Sequence, residues 1–338
     1  MTSPHPRFTP LALALWLLLL SGAGVAVGTA VGSTGLASWW SAGQDNTAWQ
    51  IVWDIRLPRS VGAWTAGALL GLSGAVAQGL FRNPLADPYL LGSASGASLG
   101  VALALALFGG HPFATEWLLR LGLTGAAFVG AVLAVLLTLA LARGVQHTLR
   151  LLLAGVIVGV VLGALSSLVA IMQPEVMQNM QAFLLGSTSF IAWSSCALMF
   201  AVLCTCALGA VLLSRVLDAL TLGESTATSL GVPLAPMRMA LVALLALATG
   251  TAVAQTGLIA FVGLAAPHVV RALVRRKHNA LVLLSALMGG LLLLAADVLA
   301  GAVLAPQEMP VGVLTAVLGG GYLLWLMYRG QSMRGQHG

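Results

Sequence analysis

The chain has 338 residues, of which 59% are hydrophobic and only 7% are charged. Soluble domains carry about 25% charged residues, so the composition excludes one and implies a polytopic membrane protein. The formal net charge of +6 comes from 15 Lys and Arg scattered along the chain; with no basic helix or aromatic-interleaved patch, a nucleic-acid surface is excluded.

In chain order, ten apolar stretches read as membrane spans. Residues 10–32 form the first; Ala26-Val27-Gly28 would also suit signal-peptide cleavage, but a retained span closes the charge pattern below. Residues 33–58 read as a loop whose Trp39, Trp40, Trp49 and Trp53 suit interface anchoring. Further spans lie near 60–80, 92–109, 116–142, 150–172, 190–213, 237–255, 258–274, 280–300 and 311–328, the third and eighth short or interrupted. Between the fifth and sixth, Gln173-Pro174-Glu175 opens a polar stretch, and Val176–Leu185 reads as a short helix outside the hydrocarbon.

Ten spans bring both termini to one side. With that side taken as the inside, twelve Lys and Arg lie there, among them Arg7, Arg82, Arg143, Arg238, Arg271, Arg275 and Arg276. Only Arg56, Arg59 and Arg120 lie outside, which satisfies the positive-inside rule. Arg56 and Arg59 flank Pro58 at the outer mouth of the second span. They suit either snorkelling to headgroups or bidentate docking of a partner's carboxylates.

At the other end of that span, Asn83-Pro84-Leu85-Ala86-Asp87-Pro88 interrupts the apolar run. Each proline lacks a backbone donor and disfavours helix at the residue before it, so the chain must turn. Such a segment is costly in lipid unless it is buried in protein or lines a path. It reads as a turn or as a gate.

Ala75-Val76-Ala77-Gln78 recurs as Ala252-Val253-Ala254-Gln255, each copy followed by Gly-Leu and a proline-containing break. The copies sit in spans crossing in opposite directions, the pattern of an inverted-topology repeat. Gly155, Gly159 and Gly163 in the fifth span form a small-residue ladder for close helix contact, within the subunit or near a homodimer axis. Met172, Met177 and Met180 offer soft side chains for packing or for a bulky cargo. Cys196, Cys204 and Cys206 lack metal-finger spacing and read as packing residues. The loop 217–236 holds a short helix near 222–232 closed by Gly231. Asp297 is a carboxylate in or near the membrane and therefore a functional candidate. His268 has Ala272 four residues on, so no metal site is expected.

The only lysine, Lys277, is followed by His278, so no P-loop exists. H-E-x-x-H is also absent, which argues against a metalloprotease-type enzyme.

Three blocks carry a resemblance. They are R-L-P-R at 56–59 with S-G-A-V-A-Q-G-L-F-R-N-P-L-A-D-P at 73–88, G-L-I-A-F-V-G-L-A-A-P-H at 257–268 with Arg271, and E-M-P-V-G at 308–312. Over nearly its whole length the chain resembles the permease subunits of bacterial importers for iron-siderophores, heme and cobalamin. The resemblance implies a single all-α transmembrane permease domain working as a homodimer in the bacterial inner membrane, with cytoplasmic termini. It also implies a periplasmic substrate-binding protein, an ATP-binding cassette ATPase dimer that holds ATP and magnesium, and no cofactor in this chain.

By the same resemblance, Arg56 and Arg59 meet glutamates of the binding protein. Asn83, Leu85, Thr148 and Leu149 form a cytoplasmic gate. Glu224, Ala227, Leu230 and Gly231 belong to a coupling helix seated on the ATPase, and Gly155, Gly159, Gly163 and the three methionines lie near the dimer axis and path. Gly301 stands where relatives often carry another arginine. The R-N-P-L-A-D-P form of the second-span block points to heme as cargo, with ferric siderophore and cobalamin as alternatives. The rival class is an ion-coupled secondary transporter, which would need ionisable residues at the midplane.

Overall fold

Apolar stretches of this length fold as helices because, in lipid, each backbone donor and acceptor must be satisfied within its own segment. The computed structural model describes residues 8–32, 35–36, 46–108, 116–142, 148–274, 277–303 and 307–334. Arg7, Trp39, Trp40, Arg143, Arg275 and Arg276 lie outside the described residues.

The chain opens with α1 (Pro10–Ala30) and a two-residue antiparallel pair, β1 (Val31–Gly32) and β2 (Gly35–Leu36). Then come α2 (Asn46–Ile51), α3 (Leu57–Phe81), α4 (Ser93–Phe108), α5 (Glu116–Leu141) and α6 (Thr148–Met172). The short α7 (Pro174–Leu185) leads to α8 (Trp193–Leu212), α9 (Ser214–Thr221) and α10 (Glu224–Ser229). The last four are α11 (Leu234–Thr256), α12 (Val262–Leu273), α13 (His278–Val303) and α14 (Val311–Arg334). Among the described residues, seven helical runs are long and apolar enough to cross a membrane, and α4, α12 and α14 supply three shorter apolar helices. These ten coincide with the ten expected spans.

One boundary differs from expectation. Residues 46–56 were expected in a loop, yet helix runs from Asn46 through a five-residue π turn, Val52–Arg56, into α3. A proline inside a helix clashes with the carbonyl four residues back. The π turn just ahead of Pro58, closed by Leu57 N–H to the Val52 carbonyl, widens the helix where that clash would fall.

The buried centre is α3, about 37 Å long at 1.5 Å per residue. Lipid tails are as apolar as leucine, so helices associate here by close packing rather than by escape from water. Small residues make that possible. A Cβ on Gly67 would strike the Gly289 carbonyl of α13, and one on Gly71 would strike that of Ser285. One on Gly74 would land on the Gly263 carbonyl of α12. Pro267 inside α12 has no N–H for that same carbonyl, four residues back, and α3 covers it.

The two breaks meet in the middle of the bundle. After α3 ends at the left-handed Arg82 (φ 49°), the chain turns back inward to the 3-10 turn Pro88–Leu91. After α11 it descends from the opposite end through Gly257–Phe261. The Tyr89 hydroxyl donates to the Ile259 carbonyl at 3.1 Å, and Pro88 packs on Gly263. This explains the two short spans: α4 and α12 cover about 24 and 18 Å, because each begins only after the loop has already entered the protein. Non-helical backbone at that depth is tolerated because protein surrounds it.

The first span belongs to this packing. Trp64 Nε1 donates to Ser21 Oγ at 3.0 Å, and α1 lies along α13 with Gly24 against Leu294.

Candidate functional site

The polar side chains gather at the two ends of the bundle. At the end where α3 begins, Arg59 is clamped by two carboxylates. Its Nε and Nη2 donate to Asp297 Oδ1 of α13 at 3.2 and 3.0 Å, and its Nη1 donates to Glu308 at 2.9 Å. Thr188 donates to Asp297, and Ser189 Oγ donates to Glu308 Oε2 at 2.8 Å. Asp297 is only 4% exposed, and a carboxyl buried to that degree needs the pairing and hydrogen bonds it has here. Burial pushes the Glu308 carboxyl up, but the Ser189 hydrogen bond and the Arg59 charge outweigh it and hold the group below the usual carboxylate range.

Arg56 Nη1 donates to the carbonyls of Thr29 and Ala30 at 3.3 and 3.4 Å. A cation there satisfies and neutralises the C-terminus of α1. Both guanidiniums are thus engaged inside the chain, so a partner's carboxylate would meet Arg56 or Arg59 only by exchange with these contacts. Around Gly301 space is open.

The other end holds the positions expected to form a gate and a coupling helix, together with the start of α1 and the end of α14. Glu224, the first residue of α10, is where they meet. Arg238 Nη2 of α11 lies 2.6 Å from Glu224 Oε1, Thr148 Oγ1 of α6 donates to the same oxygen at 3.0 Å, and Arg82 Nη2 lies 3.5 Å from it. Burial raises the Glu224 carboxyl, but Arg238, Thr148 and Arg82 overcome that and hold it below the usual range. The Arg238 side chain is 3% exposed, so this pair is the fixed contact of the three.

The α9–α10 loop has a second tether. His278 Nδ1 lies 2.7 Å from Asp218 Oδ1, which also accepts the His278 N–H at 3.1 Å. The C-terminus of α10 closes as the sequence anticipates. Gly231 is left-handed at φ 80°, with Gly231 N–H to the Thr228 carbonyl and Val232 N–H to that of Ala227, the Schellman pattern. Ala227 is buried, whereas Leu230 is 64% exposed.

Among the gate positions, Asn83 Oδ1 accepts from the Leu85 N–H at 3.0 Å and shapes the turn. Leu85 and Leu149 project outward, 54% and 69% exposed. Asp87 caps the 3-10 turn through the Tyr89 N–H at 2.8 Å.

The glycine ladder is used within the chain. Gly155 lies against the Leu90 carbonyl, and Gly159 and Gly163 face Ser95 of α4. The outward face of α6 carries exposed Leu and Val side chains, such as Leu153 and Val160. Met180 is buried in the packing of α7, whereas Met172 and Met177 are exposed. A crevice of about 710 Å³ between α4, α5, α7, α8 and α11 is lined by Phe183, Phe190, Ser194 and Gln255 among others.

Sequence reasoning missed Arg238, Thr188, Ser189 and Tyr89 as members of these networks. The available signal was the arginine itself: a cation in the first turns of an apolar helix requires a carboxylate, and the chain has only nine acidic residues.

Comparison with known proteins agrees with this layout. The profile of the FecCD transport family matches residues 13–329. The hemin transport system permease protein HmuU of Yersinia pestis is 40% identical over 300 residues, 87% of this chain and 88% of that protein. The vitamin B12 import system permease protein BtuC of Escherichia coli O157:H7 is 39% identical over 279 residues, 82% of this chain and 83% of that protein. A solved inward-facing structure of a metal-chelate type ABC transporter superposes with a TM-score of 0.83 at 30% identity, covering 94% of this chain and 98% of the other.

Proposed function

The chain belongs to the FecCD transport family, and on that premise we propose that it is the membrane permease of an ABC importer for heme. It is a multi-pass membrane protein and a transport subunit rather than an enzyme. Two copies form the cargo path between them, in the inner membrane, with the Glu224 end in the cytoplasm. ATP and magnesium are bound by a separate ATPase dimer, and a periplasmic binding protein delivers the cargo at the Arg59 end.

The observation that carries this reading is the likeness of 87% of the chain to a hemin permease. Its geometry fits: α10 projects an exposed Leu230 from a tethered base, as a contact helix for another subunit would. The heme assignment is finer than the class, since a vitamin B12 permease is nearly as similar.

Docking through Arg59 takes the form of an exchange. Asp297 stays as its buried partner, and an incoming carboxylate displaces the more exposed Glu308.

Proteoliposomes holding permease, ATPase and binding protein test the cargo. Heme is taken up with ATP in preference to a ferric siderophore or cobalamin; preferential uptake of either alternative overturns heme while leaving the importer class intact. The secondary-transporter rival predicts uptake driven by an ion gradient without nucleotide.

A further inference from the structure

We propose that the Glu224 carboxylate is the joint through which a displacement of α10 reaches both halves of the gate. This rests on the reading of α10 as the helix that contacts the ATPase and of Asn83, Leu85, Thr148 and Leu149 as the cytoplasmic gate. Three elements meet at one oxygen, Oε1: the C-cap of α3 through Arg82, the first residue of α6 through Thr148, and the first turns of α11 through Arg238.

Arg82 precedes the expected gate position Asn83, and Thr148 is itself an expected gate position, beside Leu149. The contacts also differ in firmness. Arg238 is buried and closest at 2.6 Å, whereas Arg82 is 42% exposed and 3.5 Å away. Arg238 therefore fixes Glu224 to the body of the chain, and Arg82 and Thr148 are the contacts that a small shift of α10 makes or breaks.

The backbone at Arg82 is suited to moving. It is a non-glycine residue at φ 49°, a conformation that L side chains adopt only at some cost, held by its N–H to the Gln78 and Gly79 carbonyls. Releasing the Arg82 side chain frees the turn that carries Asn83 and Leu85. Releasing Thr148 frees the start of α6. Because both leave the same oxygen, the two gate segments move together. Glu224 is in this sense a positioning residue: it touches no cargo.

The experiment uses the reconstituted transporter and reads cargo taken up per ATP hydrolysed, together with retention of the ATPase. Thr148→Val and Arg82→Gln keep the complex assembled and each lower uptake per ATP by roughly three- to ten-fold, the value of one hydrogen bond or ion pair. Combining either with Glu224→Ala gives no further loss, because alanine removes the shared oxygen. If Glu224→Ala prevents folding, the Thr148→Val/Arg82→Gln pair decides by the same criterion.

Additive losses, or an unchanged ratio, overturn the proposal. Leu230→Asp separates the two layers of the inference. If it abolishes ATPase retention while the Thr148 and Arg82 variants stay fully coupled, α10 is the ATPase contact and Glu224 is not the joint. If the ATPase is retained, the reading of α10 fails and the proposal falls with it.

Discussion

Arg59 and Asp297 make the most consequential pair among the described side chains. Removing one member of a buried ion pair leaves the other as an uncompensated charge, which costs about 3 kcal/mol or more. Arg59→Gln is therefore expected to lower the melting temperature in detergent, whereas Glu308→Gln, acting at the exposed side of the clamp, lowers it far less. Equal effects would mean that the clamp does not distinguish its two carboxylates. The same logic fixes a pH dependence. Glu224 and Glu308 are both held below the usual carboxylate range. Their stabilising contribution is thus complete above about pH 4.3 and is lost only as pH falls through the depressed folded values. Melting temperatures should not respond to these two groups between pH 8 and 5, and should fall in more acid solution. Glu224→Gln removes part of that acid slope.

Helices touch here where glycine replaces a side chain, and that can be tested one element at a time. Gly74→Ala places a methyl on the Gly263 carbonyl and should prevent α3 from seating on α12, seen as loss of folded protein in the membrane. Gly301→Ala meets open space and is expected to be tolerated, since alanine is the better helix former by about 1 kcal/mol. Equal tolerance of both would remove the close-packing account of α3. The spans were legible in the sequence because uninterrupted apolar length is a local property, and Pro84, Pro88 and Gly257 announced the breaks. The reach of helix back to Asn46 was not legible, since Pro58 looks like a terminator unless a π turn precedes it. The partners of Arg59 and Glu224 were equally hidden. Asp297 lies 238 residues from Arg59, and only the packing of α13 on α3 brings them together.

Across the whole molecule, the two ends have different designs joined by a tightly packed middle. One end ties α3, α13 and the segment before α14 around Arg59; the other ties α3, α6 and α11 around Glu224. Between them, two broken segments from opposite directions meet at Tyr89 and Ile259. No P-loop exists anywhere in the chain; on the proposed reading the free energy for moving cargo enters through another subunit at the Glu224 end. The decisive measurement is uptake of heme by proteoliposomes that contain the purified chain with and without its ATPase partner and ATP. Accumulation only when the ATPase hydrolyses ATP is the expected result. Accumulation by the chain alone, with no nucleotide-hydrolysing subunit present, would contradict it.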